Sequence, residues 1–261
     1  MKPRLVITGG AGGIGAALWP GLADEWSLCL VDRVPIPVGG AGVETRQADI
    51  TDPTAMRGIL NGADALLHLA GNRFTTAAWS ELVQPNVVGM QCTFAAATAA
   101  GVRRLVVASS CHASGGYDQD RVHGVDPTWP ARPCCPYGVT KVHAEVTARY
   151  FADNGGPSAV CLRLGAVMRE PQGGLAVPFW LSVPDLEQVV RRALVAPIHY
   201  GVYYAASANA RSRWNLELTE RDLGFRPRDD SADHLAGMDL SVSSEDHYRS
   251  AIDVQDGQGE T

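Results

Sequence analysis

The chain has 261 residues, 46% of them hydrophobic and 19% charged, with a net charge of -6 and a pI near 5.6. That length fits one large domain, or one with a small appendage, and the acidic balance gives no footprint for nucleic acid. No apolar run reaches the roughly 18 residues of a membrane span, and "MKPRLVITGG" turns to glycine too early for a secretory signal, so a soluble, cytoplasmic protein without membrane contact is expected.

"RLVITGG" is a short apolar strand that stops at glycines, and a helix is expected over 13–24. Within that helix lies Trp19-Pro20-Gly21, where proline removes a hydrogen bond, so a kink or an early end is expected. "SLCLVD" is a second strand ending on Asp32, followed by a helix over 53–61. "ADALLHLAG" and "VRRLVVASS" are further strands on either side of a long helix over 79–100, and "SAVCLRLG" follows a helix over 136–153. Near-continuous apolar strands alternating with helices predict an α/β fold: a doubly wound, mostly parallel sheet covered on both faces. One domain over 1–240 is expected, with 166–240 as a small substrate-binding region. Residues 241–261 are polar and acidic without periodicity and read as a flexible tail.

The six cysteines (29, 92, 111, 134, 135 and 161) show no metal-ligand spacing. Adjacent Cys134 and Cys135 read as reduced thiols, and no metal is expected.

"VITGGAGGIG" sets Gly9, Gly12 and Gly15 between the first strand and the first helix. Small residues there let the backbone approach a pyrophosphate, and the helix start offers free N–H donors. Asp32 closes the second strand 23 residues after Gly9, where a carboxylate accepts both ribose hydroxyls and repels a 2′-phosphate. NAD is therefore expected as cofactor in preference to NADP, with the adjacent Arg33 softening that preference.

Of 22 basic Lys and Arg residues only Lys2 and Lys141 are lysine. Lys141 follows Tyr137 by four residues, on one helical face. A compact ammonium beside a phenol is expected to lower the tyrosine pKa and make it usable in proton transfer; the planar guanidinium of Arg is a poor substitute. Ser109 and Ser110 end the fourth strand, at the carboxyl edge where ligands bind in open sheets.

In order and spacing, "TGGAGGIG", "HLAG", "NVVG" from Asn86, "ASS" and "YGVTK" resemble the short-chain dehydrogenase/reductase superfamily, in its extended NAD-dependent epimerase/dehydratase branch, over about 4–165. "ASSCHASGGY", "PYGVTKVHAEVTARYF", "PFWLSVPDLEQVVRRALVAP" and "YYAASANARSRWNLE" carry the likeness further, towards the uronate dehydrogenase family, as far as about residue 234. The resemblance implies a Rossmann-type fold, NAD, and oxidation of the anomeric C1 of a pyranose uronic acid to a lactone. It makes Tyr137 the general base, Lys141 its electrostatic partner and ribose ligand, and Ser110 the donor to the substrate oxygen. Gly9, Gly12, Gly13, Ile14 and Gly15 would lie under the pyrophosphate, Asp32 would hold the ribose, and Asp49 and Ile50 the adenine. Leu69, Ala70 and Gly71 would line the nicotinamide ribose, with Asn86 anchoring that side and His112 touching substrate. The helices over 79–100 and 136–153 resemble the superfamily's pairing helices, which implies a homodimer.

Four positions depart from the pattern. Leu175 stands where the family presents an arginine to the carboxylate, Cys111 replaces Asn, Ala166 replaces Ser, and Arg73 replaces a small hydroxyl residue. Either Arg73 takes over the anion from another wall, or the small-molecule substrate is an uncharged polyol in a more apolar pocket. A sugar or nucleotide-sugar epimerase or dehydratase is the alternative enzyme. Against it, Cys111-His112 stands where a dehydratase carries an acid pair, and little chain remains for a larger C-terminal domain. A cofactor-sensing regulator on the same fold is the non-enzymatic alternative, and retention of both Tyr137 and Lys141 argues against it.

Overall fold

The structure is a computed structural model that describes residues 2–37, 42–171 and 177–236. Leu175 and the tail 241–261 lie outside the described residues.

The first half alternates as expected: β1 (Arg4–Thr8), α1 (Gly13–Leu22), β2 (Ser27–Asp32), β3 (Val43–Gln47), α2 (Pro53–Leu60) and β4 (Ala65–His68). A long helical segment follows, comprising α3 (Trp79–Leu82), a π-helical turn (Val83–Gly89) and α4 (Met90–Ala99). Then come β5 (Arg104–Ser110), the short α5 (Gly115–Gln119), α6 (Pro136–Asp153) and β6 (Ser158–Leu164). The remainder holds a two-residue pair, β7 (Ala166–Val167) and β8 (Trp180–Leu181), then α7 (Val183–Val195), β9 (Tyr200–Ala205) and α8 (Glu217–Leu223).

Seven strands form one sheet in the order β3-β2-β1-β4-β5-β6-β9, and every neighbouring pair is parallel. Successive strand residues point to opposite faces, so two cores form. Leu5, Ile7, Leu28 and Leu162 pack with Leu18 and Leu22 of α1 and with Leu186 and Val190 of α7. Val6, Val31, Leu66 and Val107 pack with Met56, Phe94 and Ala148 of α2, α4 and α6. The order in which strands are added reverses between β1 and β4, and the crevice at their carboxyl ends is the expected ligand position.

Several elements differ from the sequence reading. β3, "VETRQ", is a half-exposed edge strand whose charged side chains hide its pattern, and β9 with α7 completes the far edge. α1 ends at Leu22, two residues past Pro20, in keeping with the lost hydrogen bond there. The helix expected over 79–100 is interrupted by the π turn, which contains Pro85. Proline has no N–H for the regular ladder, and the wider turn accommodates it while burying Asn86.

Candidate active site

The glycine loop is shaped by its own backbone. Gly9 has φ +78°, and a Cβ there would lie 2.8 Å from the Ala70 nitrogen. A Cβ on Gly15 would lie 2.4 Å from the Gly9 oxygen, whereas one on Gly13 would meet nothing within 4 Å. Gly9 and Gly15 are thus required by the fold itself, while the space over Gly13 is open. Gly12 caps α1 without any side-chain hydrogen bond, leaving the first N–H groups to an anion. Ile14 packs into the core beneath.

Asp32 accepts hydrogen bonds from the Ala11 and Val34 amides, at 3.0 and 3.3 Å, which orient its carboxylate beside the loop. The neighbouring Arg33 is exposed. Asp49 accepts from the Thr51 amide and hydroxyl, which hold its carboxyl below the usual range, with a smaller pull from Arg33. Ile50 is buried and closes on Gly89. Across the crevice, Leu69, Ala70 and Gly71 follow β4. Asn86 ties that loop down: its amide oxygen accepts from the Asn72 N–H at 2.6 Å, and its nitrogen donates to the Asn72 carbonyl and to Thr140 Oγ1. An open cradle at Gly13, uncapped helix N–H groups and an oriented Asp32 carboxylate together fit a dinucleotide.

α6 brings Tyr137 and Lys141 to the end of β5. Ser110, 6% exposed, hydrogen-bonds with the Tyr137 phenol and accepts from the His112 amide. Lys141 Nζ donates to the Ala108 carbonyl at 2.8 Å and lies 5.3 Å from the Tyr137 ring centre. The lowered tyrosine pKa expected from sequence is not found here. Burial pushes the phenol above its ordinary value, and neither the Ser110 hydrogen bond nor the charge of Arg73 offsets it. Burial also brings the Lys141 ammonium down to about 8, against the pull of Glu145. His68, buried beside Lys141 and hydrogen-bonded to Thr8, is pushed down to about 3 by burial and then by that ammonium.

The outer wall is mixed. Arg73 is exposed, with its guanidinium 5.0 Å from the Phe74 ring, yet its charge reaches Tyr137. Cys111 packs with Val125, Phe179, Tyr204 and Trp214, and Ala166 lies against the same cluster. His112 is 7% exposed, its ring edge-on to Tyr137 with centroids 5.8 Å apart.

Two groups had no signal in sequence. Glu145 and Arg163 form a buried ion pair, with two contacts of 2.9 Å and side chains only 5% and 3% exposed. Ser109 donates to Glu145 at 2.6 Å, and Arg163 reaches the Tyr204 hydroxyl. Eighteen residues separate the pair, with no periodic relation, so only the β6–α6 packing reveals it. The second group is Cys134 and Cys135 gathered round His112. A hydrogen bond from Cys134, then bonds from His112 and the Gly138 N–H, lower the Cys135 thiol, and the same bond raises Cys134.

Residues 5–170 match the NAD dependent epimerase/dehydratase family. Uronate dehydrogenase of Pseudomonas putida is 34% identical over 241 residues, covering 90% of this chain and 88% of that protein. NAD-dependent glucose-6-phosphate dehydrogenase of Haloferax volcanii is 32% identical, covering 89% of this chain and 96% of that one. Among solved structures, a uronate dehydrogenase mutant from Agrobacterium tumefaciens complexed with NAD superposes with a TM-score of 0.83 at 31% identity, covering 89% and 87% of the two chains. The glycine loop, Asp32, and the Ser110, Tyr137 and Lys141 set therefore sit in a chain that belongs to the NAD-dependent epimerase/dehydratase family.

Proposed function

We propose that this protein is an NAD-dependent dehydrogenase that oxidises C1 of an aldose carrying an anionic group, converting the cyclic hemiacetal to a lactone. The observation that carries the reading is the convergence of Ser110, Tyr137 and Lys141 beside the glycine-loop crevice, with the Arg73 charge reaching the same phenol. Ser110 holds the anomeric oxygen and Tyr137 takes its proton as the carbonyl forms. Lys141, kept nearby by the Ala108 carbonyl, supplies the positive charge that stabilises the phenolate while it exists. When bound, NAD would supply the acceptor for the C1 hydride. Gly12, Gly13 and the first turn of α1 hold its pyrophosphate, Asp32 its adenosine ribose, and Asp49 with Ile50 its adenine. Leu69 to Gly71, anchored by Asn86, flank the nicotinamide ribose.

Arg73 is the cation assigned to the substrate anion. His112, Cys111 and Ala166 form the remaining substrate wall. The uronate and glucose-6-phosphate dehydrogenases, both similar to this chain, act by name on aldoses that bear a carboxylate or a phosphate. A buried anion without a partner costs several kcal/mol, so such a site needs a cation or equivalent donors.

A screen of nicotinamide reduction against hexuronates, aldose phosphates, neutral aldoses and secondary alcohols tests this. An anionic aldose should turn over fastest, with NAD preferred to NADP because Asp32 repels a 2′-phosphate. Arg73→Ala should raise KM for that substrate by roughly ten- to a hundredfold, the scale of a lost hydrogen bond to a charged group. Unchanged KM would remove Arg73 from the site.

The active protein pairs as a homodimer across its two long helices. Val88, Val139, Val146 and Tyr150 lie on them, exposed by 41%, 44%, 63% and 59%, an apolar face suited to a second copy. Light scattering at micromolar concentration should give twice the chain mass; a monomer would reject the pairing.

A further inference from the structure

Cys134 and Cys135 precede the helix that carries Tyr137, while His112 lies in the turn after β5, 22 residues before Cys134. Folding brings the three together. His112 Nδ1 lies 3.2 Å from Cys134 Sγ and 3.6 Å from Cys135 Sγ, and the three donor atoms all lie within 4.8 Å of one another. A tetrahedral zinc ion, with bonds of about 2.3 Å to sulfur and about 2.0 Å to nitrogen, requires nitrogen–sulfur separations of about 3.5 Å and sulfur–sulfur separations of about 3.8 Å. The side chains already stand near that spacing. All three are buried, and among the described residues no other group of His, Cys, Asp or Glu converges in this way. Imidazole with two sulfurs is a donor set that selects thiophilic cations over calcium or magnesium.

We propose that His112, Cys134 and Cys135 form a three-ligand site for a thiophilic divalent cation, zinc above all, and that its occupancy switches the enzyme off. Three protein ligands leave a fourth position for solvent. The site lies directly against the reaction machinery: Tyr137 packs on both cysteines, and its ring meets His112. Cys135 Sγ also caps α6, accepting the Gly138 N–H at 3.4 Å. An ion drawing on that sulfur and on His112 Nδ1 repositions the first turn of α6, and Tyr137 with it. Small misplacements of a reacting group cost about a hundredfold in rate. The site rests on these donors alone and is independent of which aldose the enzyme takes.

Cobalt(II), titrated into the reduced full chain after removal of metal by a chelator, is the probe. A near-ultraviolet thiolate-to-cobalt charge-transfer band should saturate at one ion per chain and be displaced by zinc. Cys134→Ala and Cys135→Ser should each abolish or greatly weaken the band, and Cys92→Ser should keep it. Serine at 135 retains a capping oxygen, and circular dichroism with NAD titration verifies that each variant is folded. Saturating zinc should lower turnover of the unmodified enzyme by roughly tenfold or more, and the rate of Cys134→Ala should be insensitive to it. No band, or a band surviving both cluster variants, overturns the site. A band without loss of turnover overturns the switch.

Discussion

Tyr137→Phe is expected to lower kcat by roughly a hundredfold or more while NAD affinity changes little, the scale set by loss of general acid–base catalysis. The substitution is selective because the phenol does two separable things. Its ring packs on Cys134, Cys135 and His112, and phenylalanine keeps that packing. Its hydroxyl bonds to Ser110, and phenylalanine removes only that. Burial disfavours the phenolate, so Tyr137 can take the substrate proton only after giving up its own. The nearby Lys141 ammonium and the Ser110 hydroxyl must stabilise the phenolate at the moment the proton moves, which makes the loss fall on kcat more than on binding. Steady-state kinetics with a fluorescence titration of NAD separates the two. A kcat within fivefold of the unmodified enzyme would mean that the proton leaves by another route.

The largest expected loss of stability comes from Glu145→Gln. Glutamine keeps the shape and removes the charge, leaving the Arg163 guanidinium, 3% exposed, without a counter-ion. Breaking a buried pair in this way costs about 3–5 kcal/mol, because the orphaned charge keeps its desolvation penalty and loses its attraction. Arg149 and Asp153 provide the contrast: they meet at 2.5 Å but are 54% and 40% exposed. Water screens exposed pairs such as this one and the neighbouring Asp153–His199 contact, so Asp153→Asn should be nearly neutral. Urea unfolding of the two variants gives the comparison. A loss below about 1 kcal/mol for Glu145→Gln would show that water reaches Arg163 and that the pair is not a structural anchor. The consequence extends to the site: Glu145 lies one helical turn from Lys141 and sustains its charge against burial, so the variant should also lose activity at neutral pH.

Much of the molecule is legible in sequence because its signals are local. The glycine loop is a backbone requirement written in consecutive residues: two of its glycines have no room for a side chain. Asp32 reads from its place at the end of an apolar run, and Tyr137 with Lys141 from one turn of helix. Apolar runs of the inner strands announce a parallel sheet because both faces of each strand are covered. Edges are harder. β3 carries Glu44 and Arg46 on a half-exposed strand, so burial imposes no pattern on it. The π turn at Val83–Gly89 is likewise invisible to helical periodicity, which counts a turn of fixed width.

What sequence alone determined is the fold class, the cofactor loop and the tyrosine–lysine pair, since each depends on neighbours a few residues apart. Tertiary structure decided the rest. The direction of the Tyr137 pKa shift is set by how deeply the phenol is buried, and burial is summed over elements distant in the chain. Arg163 finds Glu145 only when β6 docks on α6, and His112 finds Cys134 and Cys135 only when the β5 turn meets the start of α6. Electrostatic and donor geometry act through space within a few ångströms, whereas residue spacing reports space only along a single helix or strand.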